Sequence, residues 1–248
     1  MGKGDLMIKL YSGTPGSGKS FHACKDVVFW MRYRRNVITN FPVDTQKIRH
    51  SNAYYEYVSN DRLTPDFLVR FAHEHNRQGH EGECLIVIDE AQLMFNSRLS
   101  LDKDRLSWIT FFSQHRKLGF EVVLIAQSSR MLDRQIRDLI EDDVRHRKLN
   151  NYGLFGFLIG LIFLGKSVFY CCDVWMGTRD KVGGQWLLYN RRIADIYDTY
   201  RIFSADTPDS DGVPLRGGAP VAVPVVSTQQ YYVIRMTSVL RKYIEHNS

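Results

Sequence analysis

Short apolar runs recur along the first half of the chain. Residues 6–11 (LMIKLY), 84–89 (CLIVID) and 122–127 (VVLIAQ) are almost continuously apolar, without polar residues at alternate positions. Such runs are typical of strands that are buried on both faces of a parallel sheet. Residues 37–41 (VITNF), which precede Pro42, predict a further short strand.

Segments with helical spacing of apolar residues lie between these runs. The predicted helices cover residues 21–35, the segment from Thr64 through Phe71, residues 107–118 and residues 132–142. Thr64 is a favourable cap with Pro65 at the first helical position, and Gly119 is a favourable stop. Residues 44–60 are polar and rich in tyrosine, and predict a loop. Because strands alternate with helices, the sequence predicts a three-layer α/β fold with a mostly parallel sheet.

The pattern changes after Asn150. Residues 153–165 are almost wholly apolar and contain several glycines. A membrane-spanning helix needs ~20 apolar residues, and Lys166 ends the run before that length. We expect a short apolar helix or loop that packs on the sheet edge or on a neighbouring subunit. A membrane-inserted segment is the alternative.

The last part of the chain predicts a hairpin, a helix and an extension. Residues 167–176 and 185–189, joined by GTRDKVGG, predict a β-hairpin, and residues 192–200 predict a closing helix. Residues 204–230 are rich in Ser, Asp, Gly and Pro and predict a flexible linker. A helical tail is expected over residues 231–248, so the expected main domain covers residues 1–203.

Composition and charge exclude few classes of function. The net charge of +6 suits nucleic acid or an anionic membrane face without requiring either. The four cysteines have no C-x-x-C spacing, so they predict free thiols in a reducing compartment. The N-terminal apolar run is too short for a signal peptide. His73, His75 and His80 predict a solvated helix end, with a metal site as the less favoured alternative.

Residues 13–20, GTPGSGKS, carry the most specific chemistry. They match G-x-x-x-x-G-K-[ST], the phosphate-binding loop, between a predicted strand and a predicted helix. Its glycines allow a tight turn whose N–H groups point at a phosphate, and the helix N-terminus adds its dipole. The residues expected to bind ATP are Gly13, Thr14, Pro15, Gly16, Ser17, Gly18, Lys19, Ser20 and Phe21. Lys19 would reach the β- and γ-phosphates, and Ser20 would ligate Mg²⁺.

Polar residues directly follow two of the predicted buried strands. Asp89 and Glu90 follow the run LIVI, at the position of a Walker B motif. Asp89 would hold Mg²⁺ through water, and Glu90 would act as general base on the attacking water. Gln127 ends the next strand at the carboxyl edge of the sheet, where ligands bind. It is either a sensor of the γ-phosphate or a simple strand-end amide.

Arginines are a further group of candidates, because an arginine from a neighbouring subunit can stabilise phosphoryl transfer. The candidates are Arg116, Arg130, Arg134, Arg137, Arg145 and Arg147. We prefer Arg116 and Arg137, which are expected on helices flanking the Gln127 strand, near the carboxyl edge of the sheet.

Five segments together resemble the zonular occludens toxin-like (Zot) family, the assembly and export ATPases of filamentous phages. In chain order they are GTPGSGKS, LIVIDEAQLMF, FFSQHRKLGFEVVLIAQSSRMLDRQIRDLIE, RHRKLN and IADIYDTYRIF. The resemblance implies a cytoplasmic P-loop ATPase that acts as an oligomer at the inner membrane of the host bacterium. It also implies inner-membrane assembly and export proteins as partners, with phage coat protein and single-stranded DNA as further possible partners. Residues 115–117 and 133–137 would belong to the motor core, and residues 197–199 would close the domain.

The sequence departs from the family pattern after the ATPase domain. Typical members carry a membrane span there, whereas no apolar stretch follows Tyr197. We therefore expect either a separate partner as anchor or a membrane contact through residues 153–175.

Three functions are open at this stage. The favoured one is an ATP-hydrolysing motor for assembly and extrusion of filamentous phage. The second is a DNA translocase or packaging ATPase of the related ring-forming class, which would share the fold and the site. The third is a nucleotide-switched scaffold that does not hydrolyse ATP, which would have no need of a base at Glu90.

Overall fold

A single mixed sheet organises the part of the chain that the computed structural model describes, residues 7–48, 53–77, 79–96, 102–151 and 166–197. The strands and helices in chain order are β1 (Ile8–Ser12), α1 (Lys19–Arg32), β2 (Asn36–Thr39), β3 (Tyr55–Tyr57), α2 (Pro65–His75), β4 (Cys84–Ile88), α3 (Asp102–Gln114), β5 (Phe120–Ile125), α4 (Arg134–Arg137), β6 (Asp142–Lys148), β7 (Val168–Trp175), β8 (Lys181–Leu188) and α5 (Arg191–Ala194).

The eight strands are ordered β3-β2-β4-β5-β1-β6-β7-β8. The first six in this order run parallel, whereas β7 and β8 are antiparallel to their neighbours. Strands β4, β5 and β1 are adjacent, so their carboxyl ends meet at one edge of the sheet. That edge is where a doubly wound sheet binds its ligands.

Helices cover both faces of the sheet, which confirms the three-layer fold. On one face, Leu10, Ile86 and Leu124 pack in a cluster with α2, α3 and α4. On the other face, Tyr11 and Val87 pack in a second cluster with α1. Every residue of β4 is buried, which explains why this strand is apolar throughout.

The predicted helices α2 and α3 and the predicted hairpin are present, although their first and last residues differ from the predicted ones. Thr64 caps α2 through a hydrogen bond from the Phe67 N–H, and Pro65 is its first residue. Helix α3 ends at Gln114, and a further turn leads to Gly119. The φ of Gly119 is 80°. The predicted hairpin is present as β7 and β8.

The predicted loop over residues 44–60 and the predicted helix over residues 132–142 are wrong, because each contains all or part of a strand that has few apolar residues. Residues 44–60 contain the edge strand β3, which pairs with β2. Residues 132–142 form one helical turn, α4, and then lead into β6. Strand β6 reads DDVRHRK, with only Val144 as an aliphatic residue, because His146 fills the second inward position of its buried face. The predicted closing helix is likewise a single turn, α5, within the described residues.

Several predictions fall on other parts of the chain. The apolar segment 153–165, the linker 204–230 and the tail 231–248 lie outside the described residues, so the domain plan stays a prediction. In the described ranges no helix combines the length and the apolar character that crossing a membrane requires. Cys24, Cys84, Cys171 and Cys172 are free thiols.

Candidate nucleotide site

The loop between β1 and α1 has the backbone that its glycines predict. Gly13, Gly16 and Gly18 have φ values of 143°, 74° and 97°. A Cβ on Gly13 would lie 2.6 Å from the carbonyl oxygen of His146. A Cβ on Gly18 would lie 2.8 Å from the ring of Phe169. At these two positions the tight turn therefore requires glycine.

The amino end of α1 has the properties of an anion site. Gly18 caps the helix without any side-chain hydrogen bond to its first N–H groups. These N–H groups and the helix dipole favour a negatively charged ligand. The buried Ser17 Oγ, in the same loop, has no hydrogen-bond partner. A phosphate group fits this arrangement, because it would supply the acceptors that the loop lacks.

Lys19 lies over the loop as expected. Its Nζ donates to the carbonyl oxygens of Gly13 at 2.9 Å and Thr14 at 3.2 Å. Burial lowers the pKa of this ammonium group, and the carboxylates of Asp89 and Glu90 oppose that effect.

Asp89 lies directly beside the phosphate-binding loop. Its Oδ2 accepts a hydrogen bond from Ser20 Oγ at 3.4 Å and another from the Tyr197 hydroxyl at 3.1 Å. Burial raises the pKa of Asp89, while hydrogen bonds from the Glu90 N–H and from Tyr197 lower it. The structure thus brings together Ser20 and Asp89, the two residues expected to hold Mg²⁺. A hydroxyl and a carboxylate are oxygen ligands of the kind that Mg²⁺ takes.

Asn40 is a site residue that the sequence reading missed. It follows β2, and its side chain binds both backbone groups of Asp89: Oδ1 accepts from the N–H at 2.6 Å, and Nδ2 donates to the carbonyl at 2.8 Å. This pair of bonds fixes the end of β4 and therefore the direction of the carboxylate. A signal was present, because Asn40 is a polar residue at the carboxyl end of a predicted parallel strand.

Glu90 occupies an unusual backbone conformation at the exposed end of β4. Its φ is 49°, a region that residues other than glycine rarely adopt. Its N–H donates to Asp89 Oδ1 at 2.9 Å, and its carboxylate accepts a hydrogen bond from the Gln92 side-chain amide. The carboxylate is therefore oriented next to Asp89 and open to solvent.

Gln127 lies on the other side of the loop, after β5. Its carbonyl accepts a hydrogen bond from the Gly13 N–H at 3.2 Å, and its side chain is exposed. It lines a cleft of about 640 Å³ between the phosphate-binding loop, the segment after β5 and strand β6. The positively charged residues that line the cleft are Arg130, Arg145, Arg147 and Lys148.

The expected position of Arg116 is wrong. Its guanidinium binds Glu141, whose N–H donates to the carbonyl of Ile8 at the start of β1. Arg116 therefore lies at the amino edge of the sheet, because α3 is antiparallel to the strands and ends at that edge. Arg137 is the last residue of α4 and is half-buried. A role for either residue in a neighbouring subunit's site stays a prediction.

Two buried histidines lie behind the loop. His146 Nδ1 lies near the carbonyl oxygens of Val144 at 2.9 Å and Ser12 at 3.2 Å, so we assign its proton there. Its Nε2 then accepts from His22 Nδ1 at 2.9 Å, and His22 Nε2 accepts from the Gln185 amide at 3.3 Å. Burial lowers the pKa of both rings to about 3. This neutral chain of hydrogen bonds joins α1, β6 and β8 to the residue before the loop.

Among the described residues, one cluster of possible metal ligands is found, and it includes the same two histidines. His22, His146 and Cys171 have ligand atoms within 4.8 Å of one another. The ring nitrogens already form the hydrogen bonds given above, and burial raises the pKa of the Cys171 thiol to about 12, so the thiol is neutral. His73 and His75 are exposed at the end of α2, as expected for a polar helix end.

Comparisons with known proteins identify the family of the chain. A family profile described as zonular occludens toxin (Zot) matches residues 7–200. The chain belongs to this family. The gene 1 protein of Enterobacteria phage I2-2 is 30% identical over 253 residues, which cover 96% of this chain and 68% of that relative. The gene 1 protein of Salmonella phage IKe is 29% identical over the same shares.

The fold has a counterpart among solved structures. An ATPase domain of known structure matches with a TM-score of 0.50 at 11% identity, covering 78% of this chain and 84% of that one. This likeness concerns the fold alone. With its phosphate-binding loop and the carboxylate of β4 in contact, this member of the Zot family is a P-loop ATPase.

Proposed function

We propose that the chain hydrolyses Mg·ATP at this site and thereby drives the assembly and extrusion of filamentous phage at the inner membrane of the host. The observation that carries the chemical part is the contact of Ser20 with Asp89 beside an oriented Glu90. The biological part follows from membership in the Zot family and from the gene 1 relatives.

Each residue has a role that its surroundings support. Backbone N–H groups at the amino end of α1 and the Lys19 ammonium would bind the phosphates, and Ser20 and Asp89 would hold Mg²⁺. The ion would neutralise charge that develops on the phosphate oxygens. Glu90 would take the proton of the attacking water, because its carboxylate is exposed and oriented by the Gln92 amide. Gln127 would contact the γ-phosphate or the water.

We further propose that the site is completed in a homo-oligomer at the cytoplasmic face of the inner membrane. An arginine from a neighbour would stabilise the transition state. Arg130, Arg145 and Arg147 line the cleft beside the loop of their own chain. Arg116 and Arg137 therefore stay the candidates for the arginine that a neighbour would supply. Inner-membrane assembly and export proteins would be the partners of such an oligomer, and phage coat protein its candidate cargo.

The proposal is tested by Glu90→Gln. This variant keeps the shape of the side chain and removes the base, so ATP hydrolysis should fall by at least about 100-fold, as when a positioned catalytic group is lost. Affinity for ATP should stay within a few-fold of the original. Glu74→Gln, at an exposed position on α2, is the matched control. Steady-state phosphate release and equilibrium binding of a fluorescent ATP analogue measure the two quantities.

The same measurement separates the motor from a scaffold that uses ATP only as a switch. A scaffold has no need of a base, so Glu90→Gln would then leave the slow hydrolysis rate unchanged. That outcome would remove Glu90 from the mechanism.

A further inference from the structure

Strands β6, β7 and β8 carry one arginine and two aromatic side chains side by side on one face of the sheet. Arg147 pairs with Tyr170, and Tyr170 pairs with Trp186, in the register of the sheet. Residues paired in this way lie on the same face of a sheet. The three side chains therefore form a row across three strands, which is about 10 Å long because neighbouring strands are ~4.8 Å apart. We call this the Arg147–Trp186 row.

Among the described residues, no helix packs on the part of the sheet that carries the row. Helices α2, α3 and α4 pack on the same face, but the buried cluster beneath them contains no residue of β6, β7 or β8. Trp186 is 63% exposed and Leu188 beside it is 45% exposed. Large exposed apolar side chains next to each other, on a sheet face that no described helix covers, indicate a surface that binds a partner.

The aromatic rings are held in place by their neighbours. Tyr170 and Trp186 are T-shaped with ring centroids 5.3 Å apart. The Nζ of Lys181 lies 5.4 Å from the centroid of Tyr170. The Tyr170 hydroxyl lies over Gly184, where a Cβ would collide with it. Only glycine at this position leaves room for the Tyr170 ring, so the backbone of β8 holds the ring in this orientation.

The charge beside the row is positive and only partly compensated. Arg145 forms an ion pair with the buried Asp143 at 2.9 Å. Arg147 forms no ion pair with any residue of the described ranges, and it also lines the cleft next to the phosphate-binding loop. Arg130 and Lys148 line the same cleft. A basic cleft therefore continues into an aromatic row.

We propose that the Arg147–Trp186 row and the adjoining cleft bind single-stranded nucleic acid. Phosphates would lie against Arg147 and the other cations, and unpaired bases would stack on Tyr170 and Trp186. Base stacking on aromatic side chains in a positively charged groove is how proteins bind single strands with little sequence preference. The inference rests on the proposed function, since a motor must contact what it moves.

A membrane face is the competing partner for a surface of aromatic and basic residues. The nucleic acid is favoured because the cations lie in a concave cleft, where a flat bilayer surface would not reach them. The cleft also has one wall made by the phosphate-binding loop. A bound strand would therefore lie next to the nucleotide site.

The test is binding of a fluorescein-labelled oligo(dT) to the full chain, followed by fluorescence anisotropy at several salt concentrations. Trp186→Ala should weaken binding by at least about fivefold, the lower end of what loss of a stacking ring costs. Arg147→Gln should lower the slope of log K against log salt by about 0.7, which is the change expected for one phosphate contact on a single strand. Gly184→Ala, which displaces the Tyr170 ring, should weaken binding in the same direction as Trp186→Ala.

Trp175→Ala is the matched control, because Trp175 is an exposed tryptophan on the opposite face of the same hairpin. It should bind oligo(dT) like the original chain. Equal binding by Trp186→Ala and by the original chain would overturn the proposal. So would a failure of the original chain to bind oligo(dT) while it hydrolyses ATP, and that result would leave the proposed ATPase intact.

A second assay decides between the two partners. The same proteins are floated with vesicles of phosphatidylethanolamine and phosphatidylglycerol. If Trp186→Ala lost vesicle binding and kept oligo(dT) binding, the row would be a membrane contact and the proposal would be wrong. If oligo(dT) bound as expected but ATP were not hydrolysed, the proposed function would fail and the surface would stand.

Discussion

Asp89 is the residue at which distant parts of the chain meet. Its carboxylate receives hydrogen bonds from Ser20 on α1 and from Tyr197 near the end of the described residues. Its backbone is bound by Asn40 at the end of β2. Because Asp89 is largely buried, each of these partners also offsets the cost of keeping a carboxylate out of water. Substitution of any of these partners should therefore weaken Mg²⁺ binding at Asp89.

Asn40 offers the sharpest test at this scale. Asn40→Ala removes both hydrogen bonds to the backbone of Asp89, so the carboxylate should lose its direction. We expect hydrolysis to fall by about 10- to 100-fold, the range for residues that orient a metal ligand. The Mg²⁺ concentration needed for half-maximal activity should rise in the same variant, as a Mg²⁺ titration would measure.

The control for Asn40 lies on the same strand. Asn36 is at the other end of β2, where its side chain donates to the carbonyl of His75. Asn36→Ala should lose some stability and leave the Mg²⁺ dependence unchanged. If both variants changed hydrolysis equally, the orienting role of Asn40 would be wrong.

The sequence predicts site residues where a motif of fixed spacing, or a carboxylate directly after an apolar strand, defines their chemistry. The spacing of Gly13–Ser20 and the position of Asp89 after an apolar run each define their chemistry. Asn40 and Tyr197 could not be assigned this way, because a single asparagine after a strand and a tyrosine in a polar segment are common. Their roles depend on which strands are neighbours, and the order β2-β4-β5-β1 is a property of the folded sheet.

At the scale of elements, the packing of α1 against β6 places two neutral histidines beneath the phosphate-binding loop. Burial keeps the pKa of His22 and His146 at about 3, compared with 6.5 in an unfolded chain. Between these values the unfolded state binds more protons than the folded state. The stability that these rings contribute is therefore present above pH 6.5 and is lost as the pH falls toward 3.

The low pKa values of the two histidines predict how stability depends on pH. Lowering the pH from 7 to 5 should reduce the free energy of unfolding by about 2 kcal/mol for each ring. His146→Gln should make the pH dependence distinctly shallower. Asp26 acts in the opposite direction, because burial raises its pKa to about 6. Urea unfolding at several pH values measures these slopes, and an unchanged slope in His146→Gln would contradict the burial assignment.

Among the parallel strands, those with both faces buried were predicted, whereas β3 and β6 were not. Strands β4 and β5 read as apolar runs, since helices cover them on both sides. In β6 the exposed Arg145 and Arg147 alternate with Val144 and His146. Such a strand, with a histidine as an inward residue, has no apolar signature. The three-residue strand β3 is too short to show a period.

At the scale of the whole molecule, one edge of the sheet gathers the chemistry. The phosphate-binding loop, Asp89, Glu90 and the basic cleft all follow the carboxyl ends of parallel strands. The β7–β8 hairpin then extends the sheet beyond them, and Phe169 of this hairpin packs against Gly18 of the loop. This order of parts fits a Zot family ATPase whose nucleotide site adjoins a surface for its cargo. Assembly into an oligomer stays a prediction.

The most direct measurement is equilibrium binding of a fluorescent ATP analogue, with and without Mg²⁺. Lys19→Ala should abolish binding, and Asp89→Asn should remove the gain in affinity that Mg²⁺ gives. Lys117→Ala, at an exposed lysine away from the loop, should bind like the original chain. Tight, Mg²⁺-dependent binding by Lys19→Ala would contradict the assignment of this loop and carboxylate to a single nucleotide site.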